Sequence, residues 1–323
     1  MVNEALGSMH DHFSALYAPC GRPSIAPEYL LRASLLQVFY TIRSERLLME
    51  QLEYNLLFRW FVGISMDDPA WNHSVFSKNR ECLLNTEVAA HFFKAIGEQA
   101  RQRDLMSADH FSVDGTLLEA WASMKRFRPK DGSDKPDSGR GRNPDVDFRG
   151  QQRKNDTHAS TTDPDARLYK KAKGDAAKLR CMGHALMENR NGLVVNTRVT
   201  VANGTAERDT AVSLLEEVPG RHRVTVGADK GYDAAGFVRR CRERVVTPHV
   251  TQKKRGSAID GRTTRHEGYR LSLKVRKRVE EVFGWLKTIA GLEKLHHERV
   301  DAVFILAAWA YNLIRIRNLT TTS

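Results

Sequence analysis

Apolar residues recur at Val275, Val279, Val282, Leu286 and Ile289, a spacing that fits one face of an α-helix and not a strand. Beside that stripe, Arg276, Glu280, Phe283 and Lys287 share a second face. The stretch therefore reads as a helix with its back in a core and a carboxylate between two cations. An Arg–Glu pair four residues apart is common on solvated helices and is worth only about 0.3 kcal/mol there. Two further stretches give the pair more weight. His110–Glu119 reads as a short strand ending in Asp114. Arg223–Asp233 reads as another ending in Asp229, followed by Lys230, Gly231 and Tyr232.

Before those strands the chain reads as all-helical. Met1–Leu6 looks helical but starts without a cap, and Cys20–Pro27 is turn-rich. Leu30, Leu31, Ser34, Leu35, Val38 and Phe39 lie on one helical side, and Ser44 is a natural N-cap for the next helix. Asn55–Val62 is apolar and aromatic, Pro69 marks a break, and Ser74–Leu84 and Glu87–Arg103 read as further helices. These make a helical domain over residues 1–105. Arg43, Arg46, Arg59, Lys78 and Arg80 offer it a DNA-reading face, or the basic edge of a plain bundle, whereas Phe58, Trp60 and Phe61 read as core.

Residues 106–323 form the second domain. Over 125–180, Lys and Arg outnumber Asp, aliphatic residues nearly vanish, and Pro129, Pro136, Gly139, Gly141 and Pro144 break the chain. Such a segment cannot bury enough apolar surface to offset its ordering entropy. It reads as a basic, flexible insertion loop after the first strand, suited to phosphate contact or to a solvated linker. Asn189–Gly192 is a hairpin turn returning through Leu193–Val201, and Thr205 caps a helix over Ala206–Glu216. Val224–Ala228 is the strand before Asp229, Asp233 caps a helix running to Arg244, and Val245–Val250 is another strand. A basic loop, Lys253–Arg265, leads to the Glu280 helix, and Val300–Arg317 reads as a closing amphipathic helix. The fold class is α+β, mixed α/β.

The net charge of +12 and pI near 9.6 favour a polyanionic partner, nucleic acid before a membrane surface. No apolar run is long enough to span a bilayer, and no basic-then-apolar leader opens the chain. Cys20, Cys82, Cys181 and Cys241 are scattered, which argues against a zinc site or a disulfide framework and for reduced thiols.

Arg276, three residues, Glu280, six residues, Lys287, together with Ala228-Asp229-Lys230-Gly231-Tyr232-Asp233, resembles the insertion-sequence transposases with a DDE triad, in the IS-four/IS-five assemblage. Leu273 stands where that family's signature has a tyrosine, with Tyr269 nearby. The resemblance spans about Gly21 to Asn318. It implies a ribonuclease-H-like catalytic domain after an end-binding helical domain, with Asp114, Asp229 and Glu280 as catalytic residues and metal ligands. It implies two Mg²⁺ ions, for which Mn²⁺ can substitute, and no dedicated general base. Arg276, Lys287, Lys230 and Tyr232 are then the expected DNA contacts. The implied protein is a bacterial DNA transposase of the cytoplasm, associated with the nucleoid when bound, with no membrane partner. It binds terminal inverted repeats and target DNA as a homodimer in a synaptic complex, cutting and joining strands. A shortened, inactive repressor remains open, since family members carry more residues before this start, as does a ribonuclease-H-like DNA nuclease. Glu119, Asp233 and Glu281 are the carboxylates most easily mistaken for the triad, and His184 and His249 read as structural.

Overall fold

The structure, a computed structural model, describes residues 1–16, 24–84, 86–132, 153–170, 175–218, 222–295 and 300–321. Seven helices come first: α1 (Val2–Gly7), α2 (His10–Leu16), α3 (Pro27–Phe39), α4 (Glu45–Tyr54), α5 (Leu56–Val62), α6 (His73–Leu83) and α7 (Thr86–Gln102). Their boundaries follow local chemistry. Pro27 starts α3, where its missing N–H costs nothing. The Ser44 hydroxyl caps α4 by accepting from the Leu47 N–H at 3.2 Å. Asn55 both ends α4 and caps α5, accepting from Phe58 N–H at 3.2 Å, and Gly63 closes α5 in the left-handed conformation at φ 98°.

The sheet elements are β1 (His110–Ala120), β2 (Phe127–Pro129), β3 (His158–Ser160), β4 (Arg167–Tyr169), β5 (Lys178–Glu188), β6 (Val194–Val201), β7 (Val224–Ala228), β8 (Val246–Val250) and β9 (Lys294–Leu295). Between and after them lie α8 (Ala206–Glu216), α9 (Ala235–Glu243), α10 (Gly261–Thr264), α11 (Glu267–Val275), α12 (Arg278–Thr288) and α13 (Val300–Thr321). The main sheet runs β6-β5-β1-β7-β8. β5 pairs antiparallel with both β1 and β6, and β7 and β8 continue in parallel. That is the expected mixed α+β, ribonuclease-H-like order.

The hairpin turn after β5 is held by the buried Glu188 carboxylate, which accepts from the N–H groups of Arg190, Asn191 and Leu193 at 2.9, 2.8 and 3.0 Å. Phe111, Val113 and Val226 pack on one face with Leu214, Phe237 and Tyr232. On the other side Leu118 packs with Val279, Val282, Leu286 and Phe304.

α13 is buried on most of its circumference, unlike the amphipathic helix expected. Trp309 packs on Phe92 of α7 with ring centroids 4.6 Å apart. Asn312 brackets the Val194 backbone with two hydrogen bonds of 2.8 Å, so α13 joins the helical core to the sheet.

Other readings change as well. Asn203, not Thr205, satisfies the start of α8, accepting from the N–H groups of Thr205 and Ala206 at 2.9 and 2.7 Å. Asp233 leaves α9 uncapped and is buried, accepting from Lys253 and Ala258 N–H groups at 2.7 and 2.8 Å. Trp60 is 77% exposed rather than core. Arg59 is buried rather than DNA-facing, donating to the carbonyls of Leu52 at 2.7 Å and Met66 at 3.3 Å.

The basic stretch 125–180, expected as a loop, holds short strands among its described residues. β2 pairs with β3, β4 joins the main sheet through β5, and Phe127, Ala166 and Leu179 form a small core with Ala120. Residues 133–152 and 171–174 of that expectation lie outside the described residues. Among the described residues, no helix is long and apolar enough to cross a membrane.

Candidate active site

The parallel pairing of β1 with β7 lasts only from His110 opposite Thr225 to Ser112 opposite Gly227. Beyond it the two strands part. Carboxyl ends of parallel strands are where open α/β sheets leave room for ligands, and here each strand presents an aspartate. Asp114 lies in the middle of β1 rather than at its end, opposite Ala185 of β5, and its carboxylate accepts from the Gly115 N–H at 2.8 Å. Asp229 follows β7 directly and caps a single 3₁₀ turn, Lys230–Tyr232, accepting from the Gly231 N–H at 2.6 Å.

That turn drives Tyr232 inward. Its ring is fully buried and meets Phe237 edge-on with centroids 5.4 Å apart. Its hydroxyl is buried with no hydrogen-bond partner among the described residues.

Two glycines let other elements come close to the sheet, one on each of its faces. Gly227 of β7 lies under Arg276: a Cβ built there would sit 3.3 Å from the Arg276 Cβ and 3.4 Å from the Ser272 carbonyl. Gly115 of β1 lies under Glu207, from the first turn of α8. A Cβ at 115 would meet the Glu207 Cγ at 2.9 Å and Oε1 at 3.1 Å, so only glycine leaves this side chain its place. His184, opposite Gly115 on β5, has its Nδ1 3.3 Å from the same point, and its Nε2 is bonded to Thr200 Oγ1 at 2.8 Å.

Burial pushes the Asp114 carboxyl up from 3.8 to about 7, against its bond from Gly115, and the charges of Asp229 and Glu207 add to the rise while Arg276 opposes it. Burial also raises Glu207, helped by the Asp229 charge, with Arg208 opposing. The Tyr232 hydroxyl is raised by its burial first and then by Asp114, Glu207 and Asp229. Burial lowers His184 and His249 to about 4, so both are neutral imidazoles. His249 is bonded to the Ser272 hydroxyl at 2.7 Å.

Of the residues expected from sequence, Asp114, Asp229 and Arg276 are brought together. Glu280 is not drawn in with them: it is exposed on the first turn of α12, next to the equally exposed Glu281. Among the described residues, no three His, Cys, Asp or Glu side chains stand close enough to hold a metal ion. The single helix expected over Val275–Ile289 is broken at Arg276–Lys277 into α11 and α12, so Arg276 sits at their junction. Lys230 is exposed and Lys287 half-buried.

Tyr232 was expected at the DNA, and its full burial rules out such contact in this conformation. Of the lookalike carboxylates, Glu119 is engaged with Lys178 at 2.9 Å and Lys294 at 3.7 Å, far along β1. Glu207 was missed altogether. Its only sequence signal is an acidic residue in a helix first turn, which is commonplace.

Residues 2–82 match the family model "Transposase domain (DUF772)", and residues 150–313 match "Transposase DDE domain". No curated protein matches the chain. Among solved structures, the chain is similar to the piggyBac transposase synaptic complex with hairpin DNA. That match has 10% identity, 99% of this chain and 73% of that one covered, and a TM-score of 0.48. It is also similar to the Mos1 strand transfer complex, at 12% identity, 91% and 79% coverage and a TM-score of 0.22.

Proposed function

The chain belongs to the DDE-domain transposases, and on that premise we propose that it binds the terminal inverted repeats of a mobile element, cuts them and transfers their 3′-ends to target DNA. The observation that carries this reading is the Asp114–Asp229 pair where β1 and β7 part, with Asp114 held near neutrality by burial and like charge. A pair so strained calls for a cation.

DDE transposases generally use divalent ions. The donor chemistry fits Mg²⁺, with Mn²⁺ as substitute, because Mg²⁺ is held by one or two carboxylates plus water and substrate phosphate oxygens. When bound, such an ion lowers the pKa of an attacking water or 3′-hydroxyl and stabilises charge on the leaving oxygen. Asp114 and Asp229 would hold it, and Glu280 completes the catalytic set from α12. The two-ion form is part of the same reading.

The chain's own cations do the positioning. Arg276 brings a half-buried positive charge beside Asp114, and its guanidinium suits a phosphate oxygen. Lys230 and Lys287 would grip the DNA backbone.

End recognition falls to the helical domain, 1–105, where Arg43, Arg46 and Lys78 are exposed, and catalysis to 106–323. A homodimer would bring two ends together. The test is a mobility-shift assay and an Mg²⁺-dependent nicking assay on the same inverted-repeat duplex. Shift with nicking and joining supports the reading, nicking without joining reduces it to a nuclease, and shift without nicking reduces it to an end-binding protein.

A further inference from the structure

Helix α5 carries its charge inside and apolar side chains outside. Arg59, its one charged residue, is buried and donates to the carbonyls of Leu52 at 2.7 Å and Met66 at 3.3 Å. Leu56, Leu57 and Trp60 face out, each more than half exposed. Their spacing of three and four residues makes them neighbours on one face of the helix. Tyr54, at the end of α4 just before, is more than half exposed as well. The inner face of α5 is also apolar, with Phe58 and Val62 buried in the helical core. A helix that is apolar on both sides is suited to being covered on both.

The four outward side chains expose roughly 500 Å² together, more than half of the ~800 Å² that each partner gives to a standard interface. Trp and Tyr are also the side chains that most often anchor such interfaces. Charge selects the partner. Between Arg46 and Lys78 the only Lys or Arg is the inward-turned Arg59, whereas Glu50, Glu53, Asp67 and Asp68 are exposed. In a chain of net charge +12 this stretch is acidic, so it repels a phosphate backbone. For the same reason, two copies of so basic a chain meet here with the least mutual repulsion.

We propose that the outward face of α5, with Tyr54 beside it, is where a second copy of this chain docks. The proposal rests on the homodimer reading given above and names the surface that makes the dimer. It assigns the acidic stretch to protein contact and leaves DNA to the basic remainder of the chain.

Sedimentation equilibrium of the full chain, free and with an inverted-repeat duplex, tests this apart from activity. Trp60→Ser should raise the dimer dissociation constant about 30-fold or more, the effect of losing an interface anchor, and Leu57→Gln should raise it too. Both residues are exposed, so the circular dichroism of the variants should match wild type. Leu271→Ser, comparably exposed but on α11, should leave association unchanged. Duplex binding per protomer should be unchanged in all three. Should Trp60→Ser fail to fold, Leu57→Gln decides the matter. Wild-type association in the folded Trp60→Ser and Leu57→Gln variants overturns this face and leaves the homodimer reading standing. Wild-type association with weakened duplex binding marks the face as a DNA contact and overturns the inference likewise. A wild-type chain that stays monomeric, both free and on the duplex, overturns the homodimer reading and the inference with it.

Discussion

Two acidic places in this chain look alike in sequence and differ in the fold. Asp114 and Asp229 sit where β1 and β7 separate, with Asp114 pushed to about 7 by burial and its neighbours. Glu280 lies on the first turn of α12, exposed, with Glu281 beside it. In the first place each aspartate accepts from strand or turn backbone, at 2.8 Å for Asp114 and 2.6 Å for Asp229. The second is connected to it through the α11–α12 junction at Arg276–Lys277. The sheet thus holds its two aspartates close and one of them largely uncharged, whereas the helix leaves its two glutamates to solvent.

The largest expected effect separates chemistry from binding. Asp114→Ala and Asp229→Ala should each lower Mg²⁺-dependent nicking of repeat ends by ~10³-fold or more, with gel-shift affinity retained. Nicking near the wild-type rate would remove that residue from the site.

Next, the two glutamates of α12 can be set against each other. Glu280→Asp withdraws the carboxylate by one methylene and should cost roughly 10²-fold in nicking, since Mg²⁺ tolerates little change in ligand distance. Glu281→Ala should change nicking little and helix stability by only about 0.3 kcal/mol. An inactive Glu281→Ala beside an active Glu280→Asp would put the helix assignment one residue out.

The helical region offers a parallel contrast between a buried and an exposed cation. Arg59→Ala leaves a buried carbonyl near the end of α4 and a part-buried one in the loop after α5 without their donor, and should cost about 2–4 kcal/mol in urea unfolding. Arg46→Ala should leave stability within ~0.5 kcal/mol and weaken repeat binding instead. Equal stability of the two variants would deny Arg59 its structural role.

The smallest effect concerns pH. Unfolded, Asp114 loses its proton near 3.8; folded, it is buried, with the charges of Asp229 and Glu207 adding to the rise and Arg276 opposing it, and keeps its proton to about 7. The folded state therefore binds more protons between those values, and the contribution is full below 3.8 and lost as pH rises through about 7. In chelator, Asp114→Asn should thus stabilise the protein at pH 8 by on the order of 2 kcal/mol, with the gain vanishing toward pH 4. A gain that does not depend on pH would contradict the buried-charge origin.

Much of this was legible in the sequence, and the reasons differ by residue. Strand patterns around Phe111–Val113 and Val224–Ala228 are local, so their aspartates are found without tertiary knowledge. The family spacing pointed to Arg276, which the fold sets beside Asp114. The break between α11 and α12 was not legible, because Arg276 and Lys277 keep helical dihedrals, with φ −52° and −59°, and the apolar stripe crosses it undisturbed. Glu207 was invisible because only the β1–β5–α8 packing sets it over Gly115. The strands of the 125–180 stretch are three residues each, too short to show a period. Tyr232 looked like a surface contact beside Lys230 until the 3₁₀ turn capped by Asp229 aimed it inward.

The proposed reading turns on one divalent ion held between Asp114 of β1 and Asp229 just after β7. Replacing Mg²⁺ with Fe²⁺ in the presence of ascorbate and peroxide generates hydroxyl radicals at the ion, which cut the nearest backbone. The account predicts cuts clustered around residues 113–116 and 228–231, suppressed by excess Mg²⁺ and lost in Asp114→Asn. Cuts elsewhere in the chain, or cuts at these positions that persist in Asp114→Asn, would contradict it.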